Sequence, residues 1–180
     1  LEEACNGFLA AGYDAIGMDH YALAGDGLAA AAREGRLHRN FQGYTTGGEL
    51  DLLGVGPTAI SQFPDLFVQN HRDLRTYYGA IREGRLPVER GLVVDDPAVL
   101  ERRGLIRDVM CRFQVEFDPR RFAREWADLQ VLAGDGLVRL SERAGLAVAE
   151  VTPAGRWLIR TVAAVFDPEQ RRRASGSRLI

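Results

Sequence analysis

The chain has 180 residues, 46% of them hydrophobic and 27% charged, with a formal net charge of −2. That is enough apolar material for one core plus a smaller unit, and no run approaches the ~20 apolar residues of a membrane helix. All 23 basic residues are Arg, which excludes a lysine Schiff base and a phosphate-loop lysine, while the slight acidity argues against a general nucleic-acid binder.

The chain opens on Leu1-Glu2-Glu3-Ala4-Cys5, with no Met and no basic-then-apolar leader. The expectation is a cytoplasmic protein whose natural N-terminus is missing. The two cysteines, Cys5 and Cys111, form no Cys-x-x-Cys pair. Reduced and mostly buried thiols are expected, with no metal or cluster site supplied by this chain.

Residues 1–11 read as the end of a helix that Gly12 stops. Tyr13 to Met18 reads as a short strand. Asp19 and His20 follow at its carboxyl end, where α/β folds place chemistry. They are the candidate acid–base or substrate-contacting residues. A helix is expected from Asp26 to Arg36. Residues 37–46 read as a polar, aromatic loop. The apolar, Gly-rich 50–60 stretch reads as a strand and turn buried against a ligand or another backbone, with a further extended piece over 61–68.

A helix over 71–83 would place Leu74, Tyr77, Tyr78 and Ile81 on one face and end near Gly84. Leu86-Pro87 marks a boundary. Asp95-Asp96-Pro97 starts another helix, with Leu105, Ile106, Val109, Met110 and Phe113 as its apolar face. Asp118-Pro119 is read as a second start of the same kind, with Phe122, Trp126, Leu129 and Leu132 as the stripe and Gly134 as the stop. Leu137–Leu140 and Leu146–Ala149 flank a turn and read as a β-hairpin. Thr152-Pro153 caps a last helix that offers Trp157, Leu158, Val162 and Val165 to the core. Helix, helix, hairpin, helix is a winged-helix-like order. The 171–180 tail is expected to be loosely held.

Gly54-Val55-Gly56-Pro57-Thr58-Ala59 fits G-x-G-x-x-A, but Pro57 sits where amides should face phosphate and no acidic strand end follows. A backbone packed close to a flat ligand fits better. The second helix of the winged-helix-like part mixes Arg120, Arg121 and Arg124 with Asp118, Glu125 and Asp128. That pattern suits a solvated face rather than a DNA-binding one. The three histidines, His20, His38 and His71, lack metal-ligand spacing.

Three blocks carry a resemblance: Ile16 to Ala22, Leu37 to Thr46 (Leu-His-Arg-Asn-Phe-Gln-Gly-Tyr-Thr-Thr), and Asp51 to Ser61. Gln69-Asn70, Tyr77-Tyr78, Arg90-Gly91, Met110 to Phe113 and Val151 to Arg156 extend it, and Ser177 to Ile180 looks like a family C-terminus. The chain resembles the C-terminal portion of the oxygen-independent coproporphyrinogen III oxidases (dehydrogenases), radical S-adenosylmethionine (SAM) enzymes of haem biosynthesis. Haem-chaperone-like relatives usually lack the Gly-Met-Asp-His and Asn-Phe-Gln-Gly-Tyr-Thr-Thr blocks present here.

The resemblance implies an α/β fold: the last strands and helices of a partial (β/α) radical SAM barrel over 1–68, a connecting helix and linker over 69–94, and a mostly helical winged-helix-like domain over 95–180. It implies that the full enzyme decarboxylates two propionates of coproporphyrinogen III to vinyl groups through a 5′-deoxyadenosyl radical, using SAM and a 4Fe-4S cluster. The cluster motif, Cys-x3-Cys-x2-Cys, is absent from this sequence, so the fragment alone is expected to be inactive. Phe41, Gln42 and Ile60 are the implied SAM-pocket residues. Coproporphyrinogen III is the implied partner of a monomeric, cytoplasmic enzyme, with electron donor and acceptor not identified and neither nucleic acid nor membrane bound. A haem-binding relative and a winged-helix binding module are the alternatives.

Overall fold

The computed structural model describes residues 2–48 and 50–169. Helix α1 (Glu2–Ala10) runs to Gly12, whose φ of 84° turns the chain into strand β1 (Tyr13–Gly17). Met18 and Asp19 make the turn to β2 (His20–Leu23), which pairs antiparallel with β1. His20 therefore opens a strand instead of lying in a loop beyond one. Asp26 accepts the Leu28 N–H at 2.7 Å and starts α2 (Gly27–Arg33), shorter at its end than the expected 26–36. The 37–46 segment is a small hairpin of β3 (His38–Arg39) and β4 (Tyr44–Thr45), where the sequence suggested a loop.

Residues 50–59 form no strand. A single bridge joins Leu52 to Gln62. Leu50, Leu53 and Val55 are 76%, 70% and 89% exposed, so this stretch is not the buried strand expected from its apolar residues. The body that crowds Gly54 is the Ile60 backbone: a Cβ there would lie 2.7 Å from the Ile60 carbonyl oxygen. Asn70 ties the turn by donating from Nδ2 to the carbonyls of Gly54 and Gly56.

Strands β5 (Ile60–Gln62), β6 (Leu66–Asn70) and β7 (Val88–Val93) form an antiparallel sheet in that order. Residues 88–93, expected to be linker, are thus a sheet strand. Between β6 and β7 runs α3 (Leu74–Arg82), capped by Asp73. Of its expected apolar face only Tyr77 is buried; Leu74, Tyr78 and Ile81 are about half exposed or more.

Asp96 caps α4 (Pro97–Arg112) by accepting the Ala98 N–H. Phe113 ends it in a left-handed conformation, φ 55°. The strand that follows, β8 (Gln114–Phe117), was missed in the sequence, although Val115 and Phe117 alternate inward in the period of two. Residues 118–122 are a turn, so α5 (Ala123–Gly134) starts later than Asp118-Pro119 suggested, and Phe122 at its start offers no side-chain cap. Its stripe is as expected: Phe122 and Leu129 are buried, with Trp126 and Leu132 packed on the core. Strands β9 (Val138–Arg143) and β10 (Leu146–Val151) pair across a turn at Ala144-Gly145, both with positive φ. β8 adds to β10, giving the order β8-β10-β9.

Thr152 caps α6 (Pro153–Trp157), and the helix breaks at Leu158 before α7 (Ile159–Ala164). The break leaves Trp157 and Leu158 43% and 50% exposed, against the expectation of two core residues, whereas Val162 and Val165 are buried. The expected loose tail, 171–180, lies outside the described residues.

One core joins the beginning and the end of the chain. Ile16, Ala29, Leu37 and Tyr44 share it with Leu105, Val109 and Met110 of α4 and with Leu129, Val162 and Phe166. Phe166 meets Phe117 edge to face at 5.3 Å and Phe122 at 6.4 Å. Burial of such rings dominates the stability of a unit this size. Beside them Arg102 donates to the buried Glu125 carboxylate at 2.7 Å.

Tyr44 couples the small hairpin to α4, since its hydroxyl donates to the Met110 carbonyl at 2.9 Å. Burial lifts the Tyr44 hydroxyl from 10.0 to about 12 and the Cys111 thiol from 9.0 to about 11. The fold protects the neutral form of both acids, so the folded state keeps protons that the unfolded chain releases. Their contribution is complete below pH 9.0 and is lost as pH rises through about 11 and then about 12. Tyr44→Phe is expected to cost about 1 to 2 kcal/mol at neutral pH, because the Met110 carbonyl loses its donor. It should also flatten part of the alkaline loss. Urea midpoints measured across this pH range check both; a parallel fall in wild type and variant would exclude Tyr44 as a source.

Candidate functional site

The site is built on the hairpin of β3 and β4. Asn40 accepts the N–H groups of Gln42 and Gly43 at 2.8 and 3.2 Å on its Oδ1, and its own N–H donates to the Gly43 carbonyl. Such a side-chain-to-backbone turn is what Asn does well. It places Phe41 and Gln42 at the tip, with both side chains exposed.

Phe41 is 58% exposed yet not free in space. Its ring meets Phe67 of β6 edge to face at 5.4 Å. In the sheet Ile60 pairs with Gln69, Gln62 with Phe67, and Gln69 with Arg90. Directly opposed residues share a face, so Ile60, Gln62, Phe67, Gln69 and Arg90 lie on the face over which Phe41 sits. Arg90 donates to Gln69 Oε1 at 2.8 Å and stiffens that face. Two of the three residues singled out in the sequence thus share one surface, and Gln42 stands beside them on the turn.

His20, next to Asp19, meets the hairpin at Gly43 and Tyr44. His20 Nδ1 and Asp19 Oδ1 are 2.9 Å apart, and the bond to His20 holds Asp19 below the usual carboxylate range. The His20 ring meets Tyr44 edge to face at 5.1 Å. Its Nε2 leans on Gly43, where a Cβ would come within 2.8 Å. Gly17 is equally closed, since a Cβ there would lie 2.4 Å from the Tyr44 hydroxyl. The 16–22 block and the 37–46 block, separate in sequence, are therefore one packed unit. His20 is oriented by Asp19 with its second ring nitrogen turned toward the hairpin.

Between this hairpin, residues 47, 48 and 50–52, β5 and α4 lies a cavity of about 620 Å³. Helix α4 lines it with Leu100, Arg103, Ile106, Arg107 and Met110, a stripe at the three- and four-residue spacing of one helix face. Arg39, His38 and Asn40 face it from the hairpin and Gln62 from the sheet. Arg103 packs over the Phe67 ring at 4.8 Å, so Phe67 is shared between Phe41 and the cavity wall. Sequence reading missed Asn40, Arg103 and Arg107. The Asn-x-x-Gly spacing could have signalled the first. The two arginines could only have been noted as an i, i+4 pair.

Among the described residues no group of three or more His, Cys, Asp or Glu converges as a metal site. Cys5 and Cys111 are both free thiols, Cys111 buried. The donors of an iron–sulfur cluster are therefore not assembled by these residues. Nor, among the described residues, is any helix long and apolar enough to cross a membrane.

No protein-family model matches the chain. The oxygen-independent coproporphyrinogen III oxidase of Synechocystis is 45% identical over 170 residues, which cover 87% of this chain and 35% of that protein. Its counterpart from Pseudomonas aeruginosa is 40% identical over 93% of this chain and 37% of its own length. A solved structure, the coproporphyrinogen III oxidase of Escherichia coli, described as a radical SAM enzyme, superposes with a TM-score of 0.84. It is 38% identical and is matched over 93% of this chain and 40% of its own. The chain spans little more than a third of the length of these relatives. Its α/β fold matches the C-terminal region of that structure. In sequence and in fold the chain is similar, over nearly its whole length, to the C-terminal part of the oxygen-independent coproporphyrinogen III oxidases.

Proposed function

We propose that the intact protein containing this chain oxidatively decarboxylates coproporphyrinogen III to protoporphyrinogen IX, and that this chain supplies one wall of its reaction chamber. The observation that carries the proposal is the match to the radical SAM coproporphyrinogen III oxidase over nearly the whole chain, at 38% identity and a TM-score of 0.84. When bound, SAM and a 4Fe-4S cluster would supply the radical chemistry that removes hydrogen from a propionate side chain, and a separate one-electron acceptor would take the electron left as carbon dioxide departs.

Phe41, Gln42 and Ile60 are the proposed SAM-pocket residues. The exposed Phe41 ring and the half-buried Ile60 offer apolar contact on one sheet face, and Gln42 offers an amide at the turn tip. The Asn40 turn pre-orients Phe41 and Gln42, which lowers the ordering cost of binding. His20, aligned by Asp19, is the proposed proton-handling or carboxylate-contacting pair. These roles fit the chemistry of the side chains and their exposure.

All strand pairings named above are antiparallel, so parallel barrel neighbours for β1, which pairs only with β2 among the described residues, would come from outside this chain. Residues 95–180 are proposed as a winged-helix-like cover that keeps water from the reacting centre. The order α4-β8-α5-β9-β10 with its three-stranded sheet supports that reading. Its DNA-binding alternative is weaker: Arg120 and Arg121 precede α5, and Arg121 pairs with Glu101 at 2.5 Å.

The test is anaerobic turnover of coproporphyrinogen III by the intact protein, comparing wild type with Gln42→Ala. Wild type should form protoporphyrinogen IX, and the variant should lose roughly tenfold, the cost of one hydrogen bond in a closed site. No turnover by wild type, with stoichiometric haem binding instead, would replace the enzyme with a haem-binding relative.

A further inference from the structure

The cavity between α4, the hairpin and residues 47, 48 and 50–52 has a charge pattern that the proposed SAM wall does not use. Three guanidinium groups, Arg39, Arg103 and Arg107, line it. Among the described residues no carboxylate lies within ion-pair distance of Arg39 or Arg103. Arg107 has a 3.6 Å approach to its sequence neighbour Asp108, a carboxylate that Arg112 also approaches at 3.5 Å. Asp51 lines the cavity but pairs with none of the three.

Protein surfaces rarely gather cations around a concavity without a counter-charge, because the like charges repel in a medium less polar than water. Burial, and then the nearby Arg107 charge, pull the Arg103 guanidinium below its ordinary pKa. Arg103 is held in place from below by the Phe67 ring at 4.8 Å. A positioned guanidinium presents a fork of donors that matches a carboxylate. Beside the guanidiniums the lining mixes polar groups, His38, Asn40, Thr45, Asp51 and Gln62, with apolar ones, among them Leu52, Phe63, Leu100 and Ile106. A small inorganic anion would leave those apolar side chains unused, whereas an acid with an apolar body and further polar groups would match both kinds of lining.

We infer that this cavity binds the carboxylates of an amphipathic acid, with Arg39, Arg103 and Arg107 holding them. The site stands on its own geometry; naming the acid rests on the function proposed above, in which it is the tetrapyrrole and the groups held are propionate carboxylates. The cavity borders Phe41 through Phe67. An acid anchored there would present its apolar body beside the proposed SAM wall. A second source of a carboxylate is the methionyl end of SAM itself.

The experiment uses the intact protein and binding, read apart from turnover. Coproporphyrin III and its tetramethyl ester are titrated by tryptophan quenching into wild type, Arg103→Gln, Arg107→Gln and Arg103→Lys. SAM affinity is measured on the same samples by equilibrium dialysis. Each Gln variant should weaken coproporphyrin III about tenfold, the size of one charge-assisted hydrogen bond, with Arg103→Lys in between. Affinity for the ester, which needs the fold but not the guanidiniums, should stay within about twofold, and its loss would identify a misfolded variant. In that event Arg103→Lys, which keeps the charge, decides the matter. Weakened SAM with unchanged coproporphyrin III supports the carboxylate site and overturns the tetrapyrrole assignment. Unchanged affinity for both overturns the site. Wild-type turnover without any Arg dependence of binding would leave the enzyme function standing and the site refuted; Arg-dependent binding without turnover would do the reverse.

Discussion

Gly155→Ala is expected to destabilise the C-terminal part of the fold by about 3 kcal/mol, at the upper end of the cost of overpacking. A Cβ at this position would lie 1.9 Å from the Leu137 carbonyl oxygen and 3.0 Å from Val151 Cγ1. The oxygen cannot retreat cheaply, because it accepts the Thr152 N–H at 3.0 Å. Thr152 in turn holds the Gly155 N–H at 3.0 Å and starts α6. One methyl group therefore pushes on the cap, the entry to β9 and the end of β10 together. Gly79→Ala is the matched control. It also lies within a helix, α3, but has nothing within 4 Å of the added Cβ. There the substitution should stabilise by up to about 1 kcal/mol, through helix propensity and a less flexible unfolded chain. Urea midpoints of the two variants should move in opposite directions. Equal shifts would mean that the contact at Leu137 relaxes.

Phe41→Ala in the intact protein should lower kcat/KM for SAM by roughly 10- to 100-fold, as expected for loss of an aromatic platform worth about 1.5 to 3 kcal/mol. Stability should change little, because the ring is 58% exposed and meets Phe67 of the sheet edge to face. The Asn40 turn is built from backbone groups and the Asn40 amide, so it survives truncation of its neighbour. The effect should appear mainly in KM for SAM, with the KM for coproporphyrinogen III near wild type. An unchanged KM for SAM would remove Phe41 from the proposed pocket. A collapse of the urea midpoint would instead make it a structural residue.

Much of the helix placement was legible because caps and breakers act locally. Asp26, Asp73, Asp96 and Thr152 each accept a backbone N–H at a helix start. The apparent start at Asp118-Pro119 failed for the same reason: Asp118 does accept an N–H, from Arg120, but closes a turn and no helix follows directly. Strand β8 was lost between two helix signals, since four alternating residues are a weak pattern beside a strong cap. Apolar content also misled at Leu50, Leu53 and Val55. The sequence shows that such residues gain from burial, not whether a surface is present to bury them.

For the candidate site, the sequence alone offered its parts: the adjacent Asp19 and His20, the Phe41, Gln42 and Ile60 singled out by resemblance, and the resemblance itself. Only the tertiary structure decided which parts meet. Gly17 and Gly43 let the β1–β2 and β3–β4 hairpins close on each other, Gly17 against Tyr44 and Gly43 against His20. The register of β5, β6 and β7 puts Ile60 and Phe67 on one face beneath Phe41. Arg39 and Arg103, more than sixty residues apart, line one cavity. Local hydrogen bonding and periodicity act within a few residues and are written in the chain. Contacts across the fold depend on how whole elements pack, and no short stretch of sequence contains that information.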